Sequence, residues 1–218
     1  MIVSPTLATD VVVFNIRKWK LKVLLIKMNK KPFVWLWAVP GWLIQKDELC
    51  AEEANRILFE ATNVSDLYLE QLKVFDDLKR DPKERVISIA HMAIIKKDDL
   101  NIKTDDRYSD IDWFDVLDLP TLAYDHSEII KYAYGRLKWK VTYSTIILSL
   151  MPDSFTLSEL QNVFEIVLDK QLDKRNFRKK ILKIWVIEET WEKRTIWTPR
   201  PASLYKFMKN DLEFVEMI

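Results

Sequence analysis

Six basic residues and no acidic one fall between Lys174 and Lys183, in the run Lys-Arg-Asn-Phe-Arg-Lys-Lys-Ile-Leu-Lys. Wound as a helix, the run gathers Phe177, Ile181 and Ile184 on one side and Arg175, Arg178 and Lys179 on the other. One side is suited to burial, the other to anions. An arginine fork can read guanine, an asparagine can read adenine, and lysines mostly meet phosphate. Lys174, Arg175, Asn176, Arg178 and Lys179 are therefore the expected DNA-contacting set. Further on, Lys193, Arg194 and Arg200 suit either phosphate contacts or ordinary surface positions, and Arg194 is taken with the set.

Other reactive residue types are sparse. Cys50 is the only cysteine, and His91 and His126 are the only histidines. No Cys–His spacing can build a structural zinc site, and Ser–His–Asp catalysis has no local support. Gly41 and Gly135 are the only glycines, too few for a loop that cradles phosphate. No catalytic residue, metal ligand or cofactor is expected. His91 reads as a packed core residue, and His126, with Tyr124, as shaping the domain surface.

The elements that must position the basic run can be read around it. Thr156 and Glu159 form a capping box, with Phe155 and Leu160 as its hydrophobic staple, and open a helix to about residue 168. A short turn, 169–172, leads to Asp173, a good N-cap, and then to the basic helix. Residues 185–190 and 203–207 look like a hairpin. Helix, short turn, basic helix and hairpin describe a winged helix-turn-helix. Upstream, strands are expected at 10–16, 20–28, 35–39, 67–76, 85–95 and 111–114. Helices are expected at 49–61, capped by Asp47, and from Asp125 to about 141, with Asp125 and Glu128 as a capping box. The polar stretch 98–106 reads as a surface loop. The expected boundary puts a sensing domain at 1–142 and a DNA-binding domain at 143–218.

The 218 residues, 49% hydrophobic and 31% charged, fit a globular chain. A net charge of +1 gives no global field for nucleic acid or membrane, so DNA binding must rest on the local patch. No apolar run approaches the roughly 18 residues of a membrane span. No signal peptide is evident, and the expected location is cytoplasmic.

The segment 40–64 resembles a degenerate Nudix box. That box has glycine, five residues, glutamate, seven residues, then Arg-Glu-apolar-x-Glu-Glu-x-Gly-apolar. Glu48, Arg56, Leu58, Glu60 and Val64 match it. Trp42, Ile57, Ala61 and Asn63 replace the glycine, two glutamates and the second glycine. In Nudix hydrolases the glutamates matching 57, 60 and 61 hold a divalent metal, which wants several oxygens. Only Glu60 remains here, so the resemblance implies lost hydrolysis, while Glu48 and Arg56 imply a retained salt bridge between loop and helix.

Together with Arg-Asp-Pro-Lys-Glu-Arg-Val-Ile-Ser at 80–88 and Leu-Asp-Lys-Arg-Asn-Phe-Arg-Lys-Lys at 172–180, the chain resembles the Nudix-related transcriptional regulators over nearly its whole length. The resemblance implies an α+β chain: a Nudix-like α/β/α sandwich that senses a small molecule, followed by a winged helix. It further implies homodimers on palindromic double-stranded DNA operators. Some members sense ADP-ribose, and others, with eroded boxes, are similar to regulators of sugar catabolism, including arabinose. The eroded box favours a sugar here, with ADP-ribose as the alternative. Candidate effector residues are Asp10, Lys27, Trp42, Glu48, Asp76 and Arg80. Trp42 would fill space that a nucleotide uses.

Overall fold

The structure, a computed structural model, describes residues 4–63, 67–96, 108–195 and 201–218. The expected loop 98–106, Val64 and Arg200 lie outside the described residues. The chain divides into two compact units. One holds residues up to Tyr134 except Lys18–Lys20, and the other holds Lys18–Lys20 and Gly135–Ile218.

The first unit is built on a mixed sheet. The apolar runs at its start form a hairpin, β1 (Thr6–Arg17) and β2 (Lys20–Met28). The β-branched run β6 (Val86–Ile94) lies parallel to β1, with Thr6 opposite Val86 and Phe14 opposite Ile94. β5 (Tyr68–Phe75) borders β6, and β7 (Tyr108–Asp115) borders β2, both antiparallel. The strand expected at 35–39 is reduced to β3 (Trp37–Ala38), paired with β2, and a further short strand that was not expected, β4 (Gly41–Leu43), pairs with the start of β1. Pro40 separates them; it lacks the N–H a continuous strand would need, and its carbonyl accepts from Val11 N.

Successive strand residues face opposite sides. Val11, Val13, Ala93 and Ile95 pack with Ala54, Ile57 and Leu58 of α1 (Cys50–Thr62). Ile57 stands where the box has a glutamate, and here it is a core residue. The alternate positions Asp10, Val12 and Phe14 face the other side, where α2 (His126–Tyr143) begins. Two helices thus flank the sheet, as the sandwich reading expects. α2 starts in the first unit and ends in the second.

Two expected caps are corrected. α1 is preceded by Leu49, not Asp47, and Glu52 Oε2 accepts the Leu49 N–H at 2.9 Å. Asp125 does stand directly before α2, its backbone carbonyl accepting from Glu128 N and Ile129 N, but its carboxylate accepts two bonds from the Arg80 guanidinium instead of capping the helix.

In the second unit, the Thr156–Glu159 box forms reciprocally, at 2.7 and 3.1 Å, and opens α3 (Leu157–Leu168). Asp169 ends α3 in the left-handed region at φ 53°. Leu172 then docks on α3, its N–H donating to Glu165 and its carbonyl accepting from Gln161. Asp173 caps α4 (Lys174–Lys183) through Asn176 N at 2.8 Å. Phe177 and Ile181 are buried, with Phe177 edge-on to Phe164 at 5.5 Å. β8 (Ile187–Arg194) and β9 (Ala202–Phe207) form the antiparallel wing. The first of these starts two residues later than expected because Trp185 sits at φ 57°, outside strand geometry. Among the described residues, no helix is long and apolar enough to cross a membrane.

Candidate effector pocket and nucleic-acid interface

A cavity of about 270 Å³ opens beside the start of β1, on the α2 side of the sheet. Its floor is a buried polar network. Arg80, with 4% of its side chain exposed, donates through Nη2 to Asp10 Oδ2 at 3.0 Å. It also grips Asp125, Nε to Oδ2 at 3.1 Å and Nη2 to Oδ1 at 2.9 Å. The guanidinium, though buried, is held charged by those two carboxylates, its pKa raised further above the usual arginine value. Ser88 Oγ donates to Asp10 Oδ2 at 2.6 Å. Val39 N–H donates to His126 Nδ1 at 3.0 Å, and His126 Nε2 faces Asp10 Oδ1 at 3.6 Å. Burial lowers the His126 pKa and keeps the ring neutral. With Nδ1 accepting, the proton of that neutral ring sits on Nε2.

The rim has a different character. Lys30, Lys31 and Lys83 line it beside Asp81 and Glu84, with aromatic surface from Trp42, Tyr108 and Tyr124. Lys30 Nζ lies 6.0 Å from the centre of the Trp42 ring. Over all the lining residues the cations are Lys30, Lys31, Lys83 and Arg80, and the anions Asp10, Asp81 and Glu84.

Of the six expected effector residues, the structure brings Asp10, Trp42 and Arg80 together at this cavity. Lys27, Glu48 and Asp76 do not line it. Lys27 lies over the rings of Trp35 and Trp37, at 5.9 and 5.5 Å, and Asp76 is exposed. His126 is not the surface-shaping residue expected but a floor residue, 4% exposed, and Tyr124 lines the wall. His91 is buried, as read, and desolvation lowers its pKa.

Glu48 belongs to a separate cluster on α1. Arg56 Nε donates to Glu48 at 3.0 Å and Nη1 to Glu60 at 2.9 Å, while Nη2 meets Glu53. The expected Glu48–Arg56 bridge is present, and Glu60, the leftover box carboxylate, is engaged by the same arginine. No motif position in the sequence marks Glu53, yet it is fully buried. Burial and the neighbouring Glu48 push its carboxyl up to about 7, while Glu48 itself is lowered. Asn63 replaces the second box glycine and does its backbone job, ending α1 at φ 54°. Among the described residues, no three His, Cys, Asp or Glu side chains are grouped to hold a metal ion.

In the second unit Lys174, Arg175, Asn176 and Lys179 of α4 are exposed. Arg178 is half-buried and donates to Ser158 Oγ at 3.1 Å. Arg194 fastens the wing to the start of α3, reaching Glu159 at 3.0 Å and the Ser154 carbonyl at 3.2 Å. Lys193 is exposed on β8.

Comparison with known proteins agrees with this layout. Residues 5–133 match the NUDIX domain family, and residues 147–207 match the NrtR DNA-binding winged helix domain. The ADPR responsive transcriptional repressor NtrR of Acinetobacter baylyi is 34% identical over 215 residues, covering 97% of this chain and 85% of that protein. Shewanella oneidensis NrtR, in a crystal structure with a 27mer DNA, superposes with a TM-score of 0.80 at 32% identity over 92% of this chain and 93% of that one. The NUDIX domain of the same protein, crystallised with ADP ribose, superposes with a TM-score of 0.56 at 32% identity over 62% of this chain and 90% of that one. The expected kinship with arabinose regulators finds no support in these relatives, one of which is described as ADPR responsive and another crystallised with ADP ribose. The chain belongs to the Nudix-related transcriptional regulators, a NUDIX domain joined to an NrtR-type DNA-binding winged helix.

Proposed function

We propose that this protein is a repressor that binds operator DNA through α4 and responds to ADP-ribose, or a close nucleoside diphosphate sugar, bound in the first unit. One observation carries the effector reading: the cavity joins a cationic rim to a buried polar floor. Lys30, Lys31 and Lys83 suit a diphosphate. Trp42, expected to exclude a nucleotide, instead offers an aromatic face on which a base can lie. A free sugar such as arabinose carries no anionic group to meet the charges of Lys30, Lys31 and Lys83. The relatives described as ADP-ribose-responsive or crystallised with ADP ribose support the same choice.

Lys174, Arg175, Asn176 and Lys179 meet the DNA in this reading, and Lys193 steadies the wing on phosphate. Two copies on a two-fold axis would engage a palindrome, with half-sites about one helical turn apart or a multiple of it. The NUDIX unit serves as a sensor and not as a hydrolase. Ile57 and Ala61 supply no oxygen, and Glu60 is tied to Arg56. Selection of bound duplexes from a random pool tests the DNA half, with an enriched palindrome expected. Thermal melting with ADP-ribose and with L-arabinose tests the effector half. Stabilisation by ADP-ribose alone supports the reading; stabilisation by arabinose alone sinks it.

A further inference from the structure

The geometry points to Asp10 and His126 as a hydroxyl-reading pair: Asp10 Oδ1 and His126 Nε2 together hold one hydroxyl of the effector's sugar. This rests on the reading that the cavity takes an ADP-ribose-like ligand. The two oxygens of Asp10 differ in employment. Oδ2 already accepts from Arg80 and Ser88, at 3.0 and 2.6 Å. Oδ1 faces His126 Nε2 at 3.6 Å, beyond direct hydrogen-bonding distance. One oxygen placed about 2.8 Å from each atom would bridge them.

The polarity of the pair is fixed from behind. Val39 N–H occupies His126 Nδ1, so the neutral ring presents Nε2–H as a donor. Arg80 and Ser88 hold the Asp10 carboxylate, so Oδ1 is presented as an acceptor. One donor beside one acceptor matches an alcohol, which accepts with its oxygen and donates with its hydrogen. An ionised phosphate oxygen has no hydrogen for Oδ1 and would bring negative charge against it. Both side chains line the cavity and neither is more than 8% exposed, so an unmatched polarity there is costly. Gly41 protects the arrangement: a Cβ at that position would stand 2.2 Å from Asp10 Oδ1. The residues thus set specificity by requiring a hydroxyl at one point of the ligand, while the lysine rim serves any diphosphate.

The test uses the full chain, calorimetry, ADP-ribose and a series of deoxy-ADP-ribose analogues lacking one hydroxyl each. His126→Asn keeps an acceptor for Val39 N–H and removes the Nε2 donor. Asp10→Asn can keep the bonds from Arg80 and Ser88 while turning the Oδ1 position into a donor. Each variant should bind ADP-ribose roughly tenfold to a hundredfold more weakly, the range for leaving a buried polar group without its partner. One deoxy analogue should bind the parent with a similar loss, and His126→Asn should bind that analogue and ADP-ribose alike. Parental affinity in both variants overturns the proposal. So does a parent to which no single deoxy analogue binds tenfold more weakly, a measurement that holds even if a variant fails to fold. Absence of ADP-ribose binding to the parent refutes the effector reading and this pair with it, whereas parental binding that the variants leave unchanged refutes the pair alone.

Discussion

Replacing Glu53 with glutamine should stabilise the protein in alkaline solution and leave it unchanged in acid. Glu53 is fully buried on α1 beside Glu48 and Arg56. Burial first, and then the Glu48 carboxylate, push its pKa from 4.5 to about 7. The folded chain therefore keeps a proton that the unfolded chain releases. A raised carboxyl contributes its full stability below pH 4.5 and loses it as pH rises to about 7. Glutamine resembles the protonated acid and has no proton to lose. At roughly 1.4 kcal/mol per pKa unit the whole shift would be worth about 3 kcal/mol. Solvent screening through the partly exposed Glu48 and Arg56 reduces that to about 1 kcal/mol. Urea unfolding of parent and Glu53→Gln at pH 4.5 and pH 8 reads the effect directly. Coincident midpoints at pH 4.5 and a higher midpoint for the variant at pH 8 are expected. An equal difference at both pH values, or a less stable variant at pH 8, would refute the buried-acid reasoning.

Arg80→Met should cost about 3–5 kcal/mol in urea unfolding at neutral pH, because it leaves the buried Asp10 and the half-buried Asp125 without their cation. Arg175→Ala should weaken operator binding about tenfold in fluorescence anisotropy with an unchanged melting temperature, since the residue is exposed on α4. Arg194→Ala should do the reverse, lowering stability by at most about 1 kcal/mol through its partly exposed pair with Glu159 while leaving the salt dependence of DNA binding as it was.

What was legible in the sequence is what neighbouring residues decide among themselves. Thr156 with Glu159, and Asp173 with Asn176, sit three positions apart and form their bonds within one turn. The burial of Phe177 and Ile181 follows from helical spacing alone. The cavity was only half legible because its floor joins residues far apart in the chain: Asp10, Arg80, Ser88 and Asp125–His126 meet only once β1, β6 and α2 are assembled. Asp125 carries a local capping signal, but the charged fork of Arg80 takes its carboxylate. His126 has no local pattern that marks it as buried; its place is set by the Val39 N–H across the sheet. Asn63 departs from the box in residue identity but not in backbone role. The backbone asks only for a residue that tolerates a left-handed cap, and asparagine does.

The most direct test of the account is anisotropy of the full chain on its selected duplex, titrated with ADP-ribose at constant ionic strength. Saturating ADP-ribose should weaken DNA binding by about tenfold, within the usual range of coupling between two sites, and L-arabinose should leave it unchanged. DNA affinity that is indifferent to ADP-ribose, or that falls with arabinose, would contradict the account.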